Sequence, residues 1–195
     1  AVDPEVRDNV VEAIAVLGKL GADIQEVSIP LIVHSAAISN TIILTDAAGV
    51  HRQGIDEHLG EYDHNIQIRL LVGSIIPAQA HQKAVKLRQV LRQQILDALE
   101  KVDVLVMPTS SIPASPIPTK AGIGSKQEVL DGLAGRRSFT APFNVANTPA
   151  LSINCGFTSQ NLPVGFQIAG KPFDEGTLFR VAHAYEQATD WHTRR

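Results

Sequence analysis

The stretch that decides the fold is residues 139–175, which read FTAPFNVANTPALSINCGFTSQNLPVGFQIAGKPFDE. Two runs inside it alternate apolar and polar residues, the first through Leu151, Ile153 and Cys155, the second through Val164, Phe166 and Ile168. Alternation with a period of two predicts half-buried strands. Gly156 and Pro163 bound the connection between the runs, so the pair is predicted to form an antiparallel hairpin with a long loop.

The same stretch resembles the C-terminal part of the amidase signature enzymes. The resemblance rests on P-F-N-x-x-x-x-P-A-L-S-x-x-C-G-F from Pro142, L-P-V-G-F-Q-x-x-G-K-P-F-D-E from Leu162, and L-x-R-V-A-x-A-Y-E-Q-A-T-x-W-H from Leu178. It implies an α/β fold with a mixed sheet flanked by helices. Because family members are much longer, it also implies that 1–195 is a single partial domain, with a helical segment at about 31–101 that covers the substrate cleft. The absence of a methionine at Ala1 fits a sequence that is incomplete at its start.

Composition excludes several classes of function. The hydrophobic fraction of 44% is ordinary for a globular protein. The net charge of −3 gives no electrostatic attraction to nucleic acid. One cysteine excludes an internal disulfide and a cysteine-based zinc site, and it favours a reducing, cytoplasmic setting. No apolar run is expected to reach the length of a membrane span. No metal or organic cofactor is implied, and a homo-oligomer is expected because a truncated sheet leaves an open edge.

Further elements surround the hairpin. Asp3-Pro4-Glu5 predicts a helix start, and residues 24–29 predict a short strand. Helices are predicted in the apolar residues 31–44, over 78–101, and after Asp174, with the basic side chains of the long helix facing solvent. The apolar run 103–107 lies between helices and predicts a buried parallel strand, followed by a proline-rich loop at its carboxyl end.

No catalytic residue is assigned to this chain. The resemblance implies a serine nucleophile, a second serine in a cis peptide and a lysine base. The Gly/Ser-rich segment that carries the serines in the family is absent, and the pair Ser110-Ser111 lies in a proline-rich loop instead. Acyl transfer needs a nucleophile, a base and oxyanion donors that converge, so the nucleophile is expected outside this chain.

Four residues are predicted to contact substrate. Thr109 and Ser110 follow the strand at 103–107, the end of a strand at which open α/β sheets bind ligands; alternatively, these hydroxyls and that of Ser111 bond their own loop. Arg69 interrupts an apolar run, and a similarly placed arginine in the glutamine-using relatives grips the substrate carboxylate. Arg69 could equally form a structural ion pair.

Arg137 points to the kind of substrate. The glutamyl-tRNA amidotransferase A subunit resembles this chain, and there an acidic residue five positions before the proline matching Pro142 helps to hold the glutamine amino group. Arg137 occupies that position, beside Arg136, and a cation would repel a substrate ammonium. The resemblance therefore favours a general amidase, unless Arg137 faces solvent or the alignment slips by one residue.

Two apparent sites have plainer explanations. Cys155 with His183 as base is a poor nucleophile, because the strand pattern points the thiol inward. His51, His58 and His64 lie among carboxylates, but their spacing matches no metal-ligand motif and predicts a solvated surface.

The resemblance implies the C-terminal portion of an amidase that hydrolyses a carboxamide of low molecular mass. Two alternatives remain: the A subunit of a tRNA-dependent amidotransferase, and a non-catalytic binding module that keeps this part of the fold.

Overall fold

The computed structural model describes residues 2–117 and 139–194. The described helices are α1 (Pro4–Lys19), α2 (Ser35–Val50), α3 (Arg52–His58), α4 (His64–Ile75), α5 (Ala78–Leu99), α6 (Ala141–Ala146) and α7 (Glu175–Ala188). The described strands are β1 (Val104–Pro108), β2 (Ala150–Phe157) and β3 (Pro163–Gly170). Single 3-10 turns occupy Pro30–His34, Leu59–Glu61 and Trp191–Thr193.

The predicted hairpin is confirmed. β2 and β3 pair antiparallel with Ile153 opposite Phe166, and the register shifts between Asn154 and Gly156. Gly156 has a φ of 152°, and the side-chain oxygen of Asn9 in α1 occupies the place that a Cβ would take. Only glycine therefore lets α1 approach the strand this closely.

β1 corrects one expectation about strand direction. It pairs with the other edge of β3, giving the order β1-β3-β2, and this pairing is antiparallel. The flanking helices predicted a parallel strand, but they do not determine which strand pairs with β1. That strand is β3, the second strand of the hairpin, and it runs antiparallel to β1. The α/β class, with helices on both faces of the sheet, is confirmed.

Residues 24–29 correct another expectation, because the structure forms no strand there. The segment has no ladder partner among the described residues. It forms one wall of a groove of about 600 Å³ whose other wall is β1. The local sequence predicted a strand, but a strand also needs a neighbouring strand to pair with, and none lies beside this segment among the described residues.

One face of the sheet carries the hairpin core, which α1 and α7 cover. Asp3 caps α1 by accepting from the backbone N–H groups of Glu5 and Val6, as the sequence predicted. Phe166 packs edge-to-face on Tyr185 of α7, with ring centroids 5.0 Å apart. The buried members of the hairpin core are Val6, Val10, Ala13, Leu17, Cys155, Val164, Phe166, Ile168, Leu178, Ala182 and Tyr185.

The other face carries a smaller core formed by α2, α5 and α6 with Leu105 of β1. The helical segment 31–101 is helical as expected, with α2 and α4 in close contact. A Cβ on Gly73 would lie 2.0 Å from the carbonyl oxygen of Leu44, so the glycine permits this approach. The cleft-covering role of the segment stays a prediction.

One helical stretch departs from the expectation about membrane spans. Pro30–Val50 has 21 residues, and an 18-residue window with a mean hydropathy of 1.3, so it is long and apolar enough to cross a membrane. That window is 22% buried. One such helix is weak evidence for a membrane, because core helices of soluble proteins have the same length and composition.

Candidate functional site

A groove of about 420 Å³ lies at the carboxyl end of β1, where the sequence placed the candidate site. The loop after β1 contributes to it, together with the middle of β2 and the first residues of β3. Its polar lining consists of Thr109, Ser110, Ser152 and Asn154, and Gly165 lies between the first and third of these.

Thr109 is held through its backbone and its side chain. Its N–H donates to the carbonyl of Gly165 at 3.0 Å, and its own carbonyl accepts from the N–H of Phe139 at 3.3 Å. Its hydroxyl lies 2.6 Å from the hydroxyl of Ser152. The predicted substrate-contacting Thr109 therefore lies in the groove with a fixed orientation.

Ser110 bonds its own loop. Its hydroxyl donates to the carbonyl of Ile112 at 2.8 Å and accepts from the N–H of the same residue at 3.3 Å. Ser111 turns away from the groove and is buried, while its carbonyl accepts from the N–H of Asp3 at 2.8 Å. Among the described contacts of the three loop hydroxyls, that of Thr109 is the one that reaches across the sheet.

Gln167 supports the site without lining the groove, and the sequence reasoning missed it. Its side chain is 2% exposed and donates to the carbonyls of Pro108, at 3.1 Å, and Phe139, at 2.7 Å. These two hydrogen bonds connect the end of β1 to Phe139, which lies just before α6. The available signal was a polar residue between Phe166 and Ile168 in a strand that is otherwise apolar.

Arg69 lies apart from the groove. It is an exposed residue of α4, lines neither described cavity, and forms no hydrogen bond or ion pair with any residue in 2–117 or 139–194. The structural ion pair considered for it is therefore not found in this part of the chain. Arg137 lies outside the described residues, so its role also stays a prediction.

Two arginines of the long helix correct the expectation that its basic side chains simply face solvent. Arg88 donates from Nε to the carbonyl of Val145 at 3.0 Å and from Nη2 to Oδ1 of Asn147 at 2.9 Å. Arg92 donates to the carbonyls of Ala146 and Asn147. The two cations bind the free carbonyls at the C-terminal end of α6, the negative pole of that helix.

Cys155 is buried, and its thiol donates to the carbonyl of Val164 at 3.4 Å. Burial raises the pKa of this thiol to about 12. His183 is exposed on α7. The thiol is therefore protonated at neutral pH, which agrees with its prediction as an inert core residue.

The histidines between α2 and α4 bond to neighbours on the surface. Nδ1 of His51 lies 3.1 Å from the hydroxyl of Tyr62, and His58 lies within 3.7 Å of Glu57 and 3.2 Å of Glu61. Within the described ranges, no three histidine, cysteine or acidic side chains are grouped closely enough to hold a metal ion.

Comparison with protein families gives one match, a model described as Amidase that covers residues 1–179. The A subunit of the glutamyl-tRNA(Gln) amidotransferase of Gloeobacter violaceus is 36% identical over 98% of this chain, which covers 43% of that protein. The protein of the same name from Halalkalibacterium halodurans is 32% identical over the whole chain, which covers 44% of it. The chain thus spans less than half the length of these relatives.

Solved structures show the same fold. A 6-aminohexanoate cyclic dimer hydrolase superposes on the whole chain with a TM-score of 0.84 at 24% identity, and the chain covers 43% of it. The A subunit of the glutamyl-tRNA(Gln) amidotransferase of Thermotoga maritima superposes on 95% of the chain with a TM-score of 0.71 at 30% identity, and the chain covers 39% of it.

Proposed function

The chain belongs to the amidase family, and we propose that it is the C-terminal portion of an amidase that hydrolyses the C–N bond of a carboxamide. The observation that carries the proposal is the family match over residues 1–179, which includes the hairpin and the groove at the end of β1. In this proposal the groove forms one wall of the amide-binding cleft.

The reaction takes two steps. A serine outside this chain attacks the carbonyl carbon of the amide, and the C–N bond breaks as the amine or ammonia leaves with a proton. Water then cleaves the acyl-enzyme to the acid and restores the serine. In this proposal the chain orients the substrate through Thr109, which lies in the groove with Ser110, and through Arg137. Arg69 lies apart from this groove, and its contact with substrate stays a prediction.

A second candidate is the A subunit of a tRNA-dependent amidotransferase. The curated relatives in the comparison carry that name, at 36% and 32% identity. Such a protein would release ammonia from glutamine and work with partner subunits. Arg137 argues against it, because a cation at the position that faces the glutamine ammonium disfavours that substrate.

The test is ammonia release by the complete gene product and, separately, by the 195-residue chain. Propionamide, benzamide and L-glutamine are the substrates. The amidase proposal expects turnover of the simple amides, little turnover of glutamine, and none by the chain alone. Turnover of glutamine alone would support the amidotransferase, and no turnover of any of the three would support a binding module.

The Arg137→Asp variant of the complete product sharpens the choice, with Arg136→Asp as the matched control. Under the amidase proposal, a carboxylate at position 137 improves glutamine turnover relative to the control. Equal effects at the two positions would show that Arg137 does not face the substrate.

The exposed apolar side chains of the helical segment support self-association of this chain. Val33, Val50 and Ile75 are all more than 70% exposed. Light scattering at increasing concentration should show dimers or larger species, whereas a constant monomer mass would contradict this.

A further inference from the structure

The groove at the end of β1 has four polar side chains, and two of them, Ser110 and Asn154, are bonded to the backbone of the protein itself. The hydrogen of Ser110 is used by the carbonyl of Ile112. Asn154 accepts from the N–H of Gly156 at 3.0 Å and donates to the carbonyl of Trp191 at 3.4 Å. Both side chains therefore serve the protein's own backbone.

The Thr109–Ser152 pair differs, because its two hydroxyls bond each other at 2.6 Å. Each hydroxyl carries one hydrogen, and one bond between them uses one of the two. No described residue accepts the other hydrogen. Whichever hydroxyl donates within the pair, its partner keeps an O–H that can donate into the groove.

Gly165 makes room for this pair. A Cβ on Gly165 would lie 3.0 Å from the hydroxyl of Ser152 and 3.3 Å from that of Thr109. Any larger residue at this position in β3 would press on both oxygens. Hydrogen bonds to the backbone also hold the pair in place. Gln167 donates to the carbonyl of Pro108, and the N–H of Thr109 donates to the carbonyl of Gly165.

We propose that the Thr109–Ser152 pair, above Gly165, is a subsite that donates one hydrogen bond to a carbonyl or carboxylate oxygen of the ligand in this groove. Ser152 is thereby a binding residue, and neither the motif nor the loop suggested it. A fixed hydroxyl in a partly apolar groove suits a neutral or anionic oxygen, because it is a donor without a positive charge. The inference rests on the proposed function for its choice of ligand, an amide or the acid formed from it.

The primary test needs no turnover, so its result is independent of whether the protein is an amidase. The 195-residue chain, labelled with nitrogen-15, is titrated with acetamide and, in a second arm, with acetate. We expect the amide signals of Thr109, Ser152 and Gly165 to shift in a saturable way in at least one arm. The arm that shifts identifies the amide carbonyl or the carboxylate as the bound group.

Variants separate binding from structure. Thr109→Val and Ser152→Ala each remove one hydroxyl and should weaken the apparent affinity about three- to tenfold, whereas Thr109→Ser should preserve it. Thr45→Val is the matched control, because its hydroxyl bonds only the carbonyl of Thr41 in α2, and it should leave the affinity unchanged.

In the complete gene product, the same variants should raise the KM for amides, or the inhibition constant of the acid, with little change in kcat. The proposal is overturned if neither acetamide nor acetate shifts these signals saturably. It is also overturned if Thr109→Val and Ser152→Ala lower the melting temperature but leave both affinity and KM unchanged. An inactive complete product whose chain still binds acetate would reject the amidase proposal and keep the subsite.

Discussion

In the hairpin core, β3 buries Phe166 and Ile168 completely between the sheet and its helices, whereas in the helical segment α2 and α4 leave Val50 and Ile75 mostly exposed. The buried side chains of α2 are few and include Ser35 and Ser39. The groove at the end of β1 lies on the strands that form the first region, and Arg69 lies on the second. The predicted substrate contacts Thr109 and Arg69 therefore lie on parts of the chain that are packed to different degrees.

Truncation of a buried side chain should destabilise the hairpin core more strongly than any change in the helical segment. Phe166→Ala should lower the free energy of unfolding by about 3–5 kcal/mol, because it leaves a cavity beside Tyr185. Ile75→Ala in α4 should change it by no more than about 0.5 kcal/mol, since that side chain is 78% exposed. Urea denaturation of both variants measures the contrast, and equal losses would remove the distinction between the two regions.

The contact between α2 and α4 gives a second effect, inside the helical segment. Gly73→Ala should lower the free energy of unfolding by about 1–3 kcal/mol, because the new methyl group meets the carbonyl of Leu44. Gly49→Ala in α2 meets no atom within 4 Å and should raise stability by up to about 1 kcal/mol through helix propensity. Thermal denaturation of the pair would show opposite shifts, and two stabilised variants would mean that α2 and α4 separate at little cost.

The arginines of α5 bind α6 inside the smaller core. Arg92→Met should cost about 1–3 kcal/mol, because the carbonyls of Ala146 and Asn147 lose a charged donor. Lys86→Met, on an exposed position of the same helix, is the control and should be nearly neutral. If the two variants unfold at the same urea concentration, the arginine contacts do not contribute to stability.

The smallest effect at neutral pH concerns titration of the hairpin core. Burial raises the pKa of the Cys155 thiol to about 12, and burial, followed by the nearby thiol, raises the pKa of Tyr185 to about 12. Both groups ionise less readily in the folded chain than in the unfolded chain. Their contribution to the free energy of unfolding is therefore complete below about pH 8.5 and is lost as the pH rises toward 12.

Stability should therefore fall between about pH 9 and 12, and the fall should be shallower in Cys155→Ala. A thiol reagent should label Cys155 only after denaturation, because the thiol is 3% exposed. Rapid labelling of the native chain at pH 8 would show that the thiol is accessible and would contradict its place in the core.

The sequence predicted the hairpin core well because local rules agree there with tertiary packing. Asp3 and Pro4 start α1, the period of two forms β2 and β3, and Leu178 and Tyr185 face inward from α7. The position of the groove was also predictable, since it follows a strand end and a proline-rich loop.

What the sequence did not predict depends on contacts between distant residues. Residues 24–29 were predicted to form a strand but have no ladder partner among the described residues. β1 is antiparallel because its neighbour is the returning strand of the hairpin. Ser152 joined the site only through the hydroxyl of Thr109, 43 positions away. The periodicity of the sequence cannot predict such a pair, because the register between the strands determines which side chains meet.

Native-state hydrogen exchange of the 195-residue chain tests the contrast between the hairpin core and the helical segment most directly. The amides of Phe166 and Ile168 should exchange only through global unfolding, whereas those of Leu71 and Val72 in α4 should exchange through openings of clearly lower free energy. Equal opening free energies for β3 and α4 would contradict the account, because they would show that the helical segment is as firmly packed as the strands beneath the groove.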